Sequence, residues 1–244
     1  MKNLFAGKGK NNIVIVAGNI DDIIYNSLKE LKLKVIKTIA HKDVDRAIKY
    51  HPDIVMHPIG EDLLVVEPTV FDYYKEALKD INIELIKGEK KLGLEYPNDI
   101  AYNVGRIGNY ALHDFRYTDE KVKYYLKKEN IKQINVKQGY TKCSMAVVGD
   151  REVITSDVVI DRKLKEKGFE SLLISPGYIY LEDHPYGFIG GCTGNISNRD
   201  VLLSGSLEAH PDKGKIEKFL LDRNKNIIYL SDKKIRDIGT IIGL

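Results

Sequence analysis

The chain has 244 residues, of which 43% are hydrophobic and 30% charged, a composition that can form a sizeable core. Its 38 Lys and Arg residues barely outnumber its 35 Asp and Glu residues, without blocks of like charge, so neither nucleic acid nor a membrane surface is an expected partner. No apolar run approaches the roughly 20 residues of a membrane span, no signal peptide is evident, and two cysteines are too few for a disulfide framework. We therefore expect a cytoplasmic protein with reduced thiols.

The first predicted elements are a strand, a helix and a second strand. Residues 12–18 and 35–39 have the β-branched, apolar pattern of strands, and residues 20–32 between them have helical periodicity. Residues 42–51, which follow, are predicted to form an additional amphipathic helix.

From residue 53 onward, one order of elements recurs. A short apolar run leads through a turn to a second apolar run, which is followed by a capped helix and a third, β-branched run. The capped helices are predicted at 70–81, 121–129, 158–167 and 213–223. The third strands are predicted at 83–87, 133–137, 171–175 and 227–231.

The first strands of these units are regularly spaced. When they are aligned on one position each, successive positions lie 43 to 49 residues apart, a period typical of repeat folds. The first strands are predicted at 53–60, 99–108, 142–149, 186–194 and 237–243, and the aligned positions within them are Val55, Ala101, Ser144, Gly190 and Gly239. No further elements follow the first strand of the fifth unit. The strand, helix and strand at the N-terminus complete that unit. The sequence thus predicts an α/β fold of five β-β-α-β units with five-fold pseudosymmetry. The units form a single domain of residues 1–244, a ring closed by pairing of the N- and C-terminal segments.

This alignment also predicts which side chains share a level, because side chains alternate along a strand. Two residues after the aligned positions, one level contains His57, Asn103, Ala146, Cys192 and Ile241. Here Cys192 is the candidate nucleophile and His57 the candidate proton carrier. Cys143 has the opposite parity, so we expect it to point away from Cys192. The ordinary alternative for Cys192 is that it is buried as a small hydrophobic residue. The ordinary alternative for His57 is a structural role.

Two segments resemble a known superfamily. Cys143-Ser144-Met145 and residues 187–192 (GFIGGC) are similar to the last two units of the dimethylarginine dimethylaminohydrolases. The five-unit topology resembles the pentein fold of the guanidino-modifying enzymes, which include arginine deiminases, agmatine deiminases and amidinotransferases. The chain is most similar to a bacterial branch related to the dimethylarginine hydrolases and amidinotransferases. A ribosome anti-association factor shares the fold without this chemistry.

The resemblance implies a cysteine nucleophile in the last unit, a histidine in the preceding unit, and carboxylates that bind a guanidinium. Cys192 lies in the matching unit, whereas the place of the histidine falls at Gln138. No cofactor is expected, and no motif with metal-ligand spacing occurs.

Six polar residues are candidate substrate-binding groups: Asn103, Gln138, Glu61, Arg106, Arg116 and His210. The amides suit an amidine, the carboxylate suits a guanidinium, and the two arginines suit a substrate carboxylate. Turn capping, helix starts and solvent exposure are the alternatives for these positions.

Two functions remain open at this point. One is a cysteine-dependent hydrolase or amidinotransferase-like enzyme that acts on a small guanidino or amidino compound. The other is a catalytically inactive pentein that binds a small molecule or a macromolecule, which is favoured by Gln138 in the place of the histidine.

Overall fold

The computed structural model describes Phe5 and residues 12–244. The chain starts with β1 (Ile13–Val16), α1 (Asp22–Glu30) and β2 (Lys34–Lys37). The second group is α2 (Pro52–Val55), β3 (Met56–Gly60), β4 (Leu63–Val66), α3 (Phe71–Ala77) and β5 (Glu84–Lys87). The third is β6 (Gly105–Ile107), β7 (Tyr110–His113), α4 (Glu120–Lys128) and β8 (Lys132–Asn135). The fourth is β9 (Met145–Val147), β10 (Glu152–Thr155), α5 (Val158–Glu166) and β11 (Glu170–Leu173). The fifth is a 3₁₀ helix (Ile189–Cys192), β12 (Thr193–Asn195), β13 (Asp200–Leu203), α6 (Lys213–Leu221) and β14 (Asn226–Tyr229), after which β15 (Ile242–Gly243) follows.

These strands form five three-stranded sheets with one common order. In each sheet an inner strand pairs antiparallel with a middle strand, and the outer strand pairs parallel with the middle strand after a helical crossover. The first sheet takes its inner strand from β15, where Ile242 lies opposite Ile15 of β1. The predicted five-unit α/β organisation, with pairing between the two ends of the chain, is thereby confirmed.

The crossover helices follow from local capping and from pairs of buried residues. Asp21, Asp119 and Asp157 precede α1, α4 and α5, and each carboxylate accepts a backbone N–H of the first turn. Apolar residues spaced four apart lie on one helix face and are buried against the sheets. These pairs are Ile24 and Leu28, Val122 and Leu126, Ile160 and Leu164, and Ile216 and Leu220. No helix in the described part of the chain is long and apolar enough to cross a membrane.

The helix predicted at residues 42–51 is wrong. This segment forms successive turns, in which Ile48 N–H donates to Asp45 O and the Asp45 carboxylate accepts Ala47 N–H. An Asp side chain that binds its neighbouring backbone competes with helix formation. Val44 and Ile48 are buried nonetheless, so the apolar periodicity of this segment reflects burial and not helical structure.

The predicted start of the inner strands is also wrong. Residues 53, 99, 142, 186 and 237 were expected to open strands, whereas the strands begin three or more residues later. The intervening residues form α2, the 3₁₀ helix and turns, as at Ser144, whose N–H donates to Tyr140 O. Side-chain alternation does not apply to such segments. The alternation from which a common level of His57, Asn103 and Cys192 was predicted therefore does not apply to Asn103 and Cys192, which lie outside strands.

Candidate functional site

The turns that precede the inner strands meet at the centre of the five sheets. Asn103 joins three of them, since its Nδ2 donates to Asp53 O (3.2 Å) and its Oδ1 accepts from Lys142 N (2.8 Å). The Nζ of Lys142 donates to Gly190 O (3.1 Å) and to the hydroxyl of Thr240 (2.7 Å). The Thr240 hydroxyl lies 2.9 Å from Asp53 Oδ2. These hydrogen bonds join the five segments that precede the inner strands, and we call the set the polar ring.

A cavity of about 280 Å³ lies against the polar ring. It is lined by Asp45, Ile48, His51, Tyr140, Cys143, Leu181, His184, Pro185, Tyr186, Phe188 and Asp237. Phe188 stands between two tyrosine rings, with centroids 6.3 Å from both Tyr140 and Tyr186. The walls are thus aromatic and aliphatic, and the polar groups are few, as is typical of small-molecule sites.

Asp237 supplies a buried carboxylate to this cavity. Burial raises its pKa to about 6, although backbone N–H groups of Phe188 and Gly239 donate to its two oxygens (2.9 Å each). Gly239 has a φ of +68°, and a Cβ there would lie 2.1 Å from the Cβ of His51. Only glycine permits this backbone to approach His51 so closely, which brings Asp237 and His51 together.

Cys143 contributes a thiol that contacts two polar-ring residues. Its Sγ donates to Asp53 Oδ2 (3.1 Å) and accepts from Asn103 Nδ2 (3.0 Å). Burial, together with the charges of Asp53 and Asp237, raises the pKa of the thiol well above its usual value. Burial also raises the pKa of Asp53, so this carboxylate is a stronger base than an ordinary aspartate.

His51 is the third reactive group of the cavity. Its Nδ1 lies 3.8 Å from Asp237 Oδ1 and has no hydrogen-bond partner among the described residues. Burial lowers the pKa of His51 to about 4, so the ring is neutral at pH 7. An uncharged imidazole beside a carboxylate can accept or relay a proton.

Cys192 does not line the cavity. It is fully buried in the 3₁₀ helix, and its Sγ donates to Phe188 O (3.2 Å). Burial raises the pKa of its thiol well above the usual value, and the charge of Asp237 raises it further. Its surroundings match the buried-hydrophobe alternative, and it is Cys143 that borders the cavity.

His57 and Arg106 are both buried, and neither lines the cavity. Burial and then the Arg106 charge lower the pKa of His57 well below its usual value. Burial lowers the pKa of Arg106 to about 10, and Arg106 Nη1 donates to Ile59 O (2.8 Å). Glu61 is exposed in the turn between β3 and β4. None of these three lines the cavity.

The remaining sequence candidates serve local structure. Gln138 Oε1 accepts from Tyr140 N (3.0 Å), and Arg116 Nε donates to Asp114 Oδ1 (2.8 Å) at the surface. His210 Nδ1 accepts from the backbone N–H of Asp212 (3.1 Å), where α6 begins. Asn103 is the one candidate substrate-binding residue in the polar ring, where it holds Cys143 rather than bordering the cavity.

Sequence reasoning missed Asp237, Asp53 and His51 as site residues. A signal was present, because three of the five predicted first strands begin with Asp-Ile, at Asp53, Asp99 and Asp237. All three aspartates are buried. An acid that recurs at one position of a repeat and precedes an apolar residue indicates a buried role at the repeat axis. Over Phe5 and residues 12–244, no cluster of His, Cys, Asp or Glu side chains could hold a metal ion.

Several solved structures are similar to this one. An inosamine-phosphate amidinotransferase from Streptomyces griseus has a TM-score of 0.59 at 11% identity, covering 100% of this chain and 95% of that chain. A dimethylarginine dimethylaminohydrolase from Pseudomonas aeruginosa, complexed with citrulline, has a TM-score of 0.58 at 7% identity, covering 91% and 93%. The C. jejuni agmatine deiminase has a TM-score of 0.55 at 11% identity, covering 96% of both chains. The fold is therefore the pentein fold that the resemblance implied.

Sequence comparison adds one match. No curated protein matches the chain. The model of the family of unknown function DUF6873 matches residues 15–242.

Proposed function

The chain belongs to DUF6873, a family of unknown function, and we propose that its cavity binds a small guanidino or amidino compound that Cys143 attacks. The observation that carries this proposal is that Cys143, His51 and Asp237 border one aromatic-walled cavity. The proposed nucleophile is thus Cys143 rather than Cys192, and the proposed proton carrier is His51 rather than His57.

The shape and charge of the cavity suit a planar cation. A guanidinium or amidinium can lie against the rings of Tyr140 and Phe188 while its N–H groups donate to a carboxylate. Asp237 supplies that carboxylate from a fixed position, since two backbone amides hold it.

A bound cation also favours ionisation of the thiol. Burial and two nearby carboxylates keep Cys143 protonated when no cation is bound. A positive charge within about 4–6 Å stabilises the thiolate and lowers its pKa. The nucleophile is then activated mainly when the ligand is present.

The first step of the proposed reaction uses two groups in hydrogen-bonding distance, Cys143 and Asp53. The thiol proton of Cys143 passes to Asp53 as Sγ forms a bond to the amidine carbon, and the C–N π electrons move to nitrogen. The bond to the departing amine then breaks, and His51 relays to the amine the proton that Asp53 took from the thiol. Attack of water on the resulting thiouronium then breaks the C–S bond and releases the second product, as one proton of the water restores the thiol and the other passes to solvent. An amine in place of water gives amidine transfer.

Similar solved proteins support this class of substrate. An agmatine deiminase and an amidinotransferase are among them, and the dimethylarginine hydrolase was solved with citrulline. The activity of those proteins is carried over here as a proposal, since at 7–11% identity the likeness extends to the fold alone.

A second candidate function is binding without turnover. It is favoured by Gln138, which stands where the resemblance places the histidine and is engaged with Tyr140 N and Asp157. In this case the same cavity binds the cation, and Cys143 does not attack it.

Alkylation of the two thiols tests the proposal. The protein is exposed to 2-chloroacetamidine or to its neutral analogue 2-chloroacetamide, and the modified cysteine is mapped by mass spectrometry. We expect saturable labelling of Cys143 by the amidine, about tenfold faster than by the amide after correction for reactivity with free cysteine, since each unit of thiol pKa changes the thiolate fraction about tenfold.

The chain contains its own matched control. Cys143→Ser should abolish this labelling, and Cys192→Ser should leave it unchanged, because Cys192 lies outside the cavity. Equal rates with both reagents, or faster modification of Cys192, would contradict the proposal. A raised melting temperature with amidines but without labelling would favour binding without turnover.

A further inference from the structure

The charges around the cavity indicate which charge the tail of a guanidinium ligand can carry. This inference rests on the proposed function. Two aspartates line the cavity, the buried Asp237 and the partly exposed Asp45. Among the described lining residues there is no lysine or arginine. A ligand therefore meets carboxylates along its path and no fixed cation.

Lys142 and Arg46, which adjoin the lining residues Cys143 and Asp45 in sequence, are already engaged. The Nζ of Lys142 donates to Gly190 and Thr240 in the polar ring. At the rim, Arg46 is 72% exposed and lies 3.1 Å from Glu182 Oε1 and 3.9 Å from Asp183 Oδ2. Arg236 favours ionisation of Asp237 but does not line the cavity.

Asp45 forms the outer polar end of the cavity. Its Oδ1 accepts the backbone N–H of Ala47 (2.9 Å) and lies 3.3 Å from His184 Nε2. Burial acts against ionisation of Asp45, but these hydrogen bonds prevail and lower its pKa. Asp45 is therefore ionised at neutral pH.

We infer that the site takes a guanidinium or amidinium on an uncharged or cationic tail and rejects one whose tail ends in a carboxylate. A tail carboxylate would approach Asp45 without a compensating cation, and repulsion between like charges in a confined site disfavours binding. A tail ammonium would instead pair with Asp45. The substrate class is then an alkylguanidine or aminoalkylguanidine rather than a guanidino acid.

Three compounds with the same four-carbon chain test this inference. Butylguanidine, 4-aminobutylguanidine and 4-guanidinobutanoate are compared by the concentration that halves the rate of Cys143 labelling by 2-chloroacetamidine. We expect the first two to protect at concentrations at least tenfold lower than the third.

Substitution at the rim locates the effect. Asp45→Asn keeps an oxygen for Ala47 N–H and removes the charge, so it should reduce the preference for 4-aminobutylguanidine over butylguanidine several-fold. Asp43→Asn is the matched control, because Asp43 is an exposed acid two residues away that does not line the cavity. It should leave the preference unchanged.

The outcomes separate this inference from the proposed function. Protection by 4-guanidinobutanoate equal to that by the other two, or protection by none of the three, overturns the inference. If amidine-selective labelling of Cys143 still occurs in those cases, the proposed function stands. Without such labelling, the proposed function fails and this inference fails with it.

Discussion

At the scale of single residues, the cavity depends on Asp237, a carboxylic acid whose pKa is raised by burial. Asp237 has a pKa of about 6 against an ordinary value of 3.8, so the folded chain holds this proton more tightly than the unfolded chain does. The contribution of Asp237 to stability is consequently largest at low pH and is lost as the pH rises from about 4 through 6. A bound cation has the opposite effect, because it favours the ionised carboxylate.

Ligand affinity should therefore depend on pH through Asp237. We expect the affinity for butylguanidine to rise about tenfold per pH unit below pH 6 and to level off above it, since the guanidinium stays protonated throughout. Calorimetric titration of the Cys143→Ser protein between pH 5 and 8 measures this without thiol chemistry. A pH-independent affinity would contradict the role given to Asp237, and an additional Asp237→Asn substitution should flatten and weaken the profile.

At the scale of elements, the site depends on close packing between two turns. The 3₁₀ helix Ile189–Cys192 lies against the turn that carries Cys143. A Cβ on Gly190 would lie 2.3 Å from Lys142 O and 2.5 Å from Met145 O, and both of these are backbone atoms. Backbone cannot move aside as a flexible side chain can, so a larger residue must displace the turn itself.

Gly190→Ala should therefore destabilise the fold by about 1–3 kcal/mol and slow amidine labelling of Cys143. Gly214→Ala provides the comparison, because a Cβ there has no atom within 4 Å and the residue lies in α6. That change should stabilise the protein by about 0.5–1 kcal/mol through higher helix propensity. Urea unfolding of both variants measures the difference, and equal effects of the two substitutions would show that Gly190 is not tightly packed.

The same turns explain why the sequence predicted the fold better than the site. Middle strands, outer strands and crossover helices follow simple periodicities, and the predicted helices overlap α1, α3, α4, α5 and α6. The inner segments are mainly apolar in both their turns and their strands, so pattern alone could not distinguish the two. Cys143 was given strand parity, yet the strand begins at Met145. Its position depends on hydrogen bonds from Asn103, 40 residues away in sequence, which no local pattern reveals.

At the scale of the whole molecule, the ends of the described chain are joined by strand pairing. Leu244 N donates to Ile13 O (2.9 Å), beside the pairing of β15 with β1. The ring closure was predictable because the leftover elements at the two ends together make one unit. The order of units along the chain is thus less important to the structure than the contacts between them.

A circular permutant should therefore fold to the same structure. Residue 244 is joined to residue 1 through a short Gly-Ser linker, and the chain is opened between Pro176 and Gly177, both of which are exposed. We expect cooperative thermal unfolding and unchanged amidine selectivity at Cys143, because every strand pair and polar-ring contact is retained. Loss of cooperative unfolding would mean that the native chain order is itself required.

The polar ring also bears on how such a protein can evolve. Four of the five segments joined by the polar ring also contribute or adjoin cavity-lining side chains, namely His51, Cys143, Phe188 and Asp237, so an exchange within one of them alters one part of the cavity and leaves the others in place. After gene duplication, selection can therefore change the preferred ligand one turn at a time while the sheets stay constant.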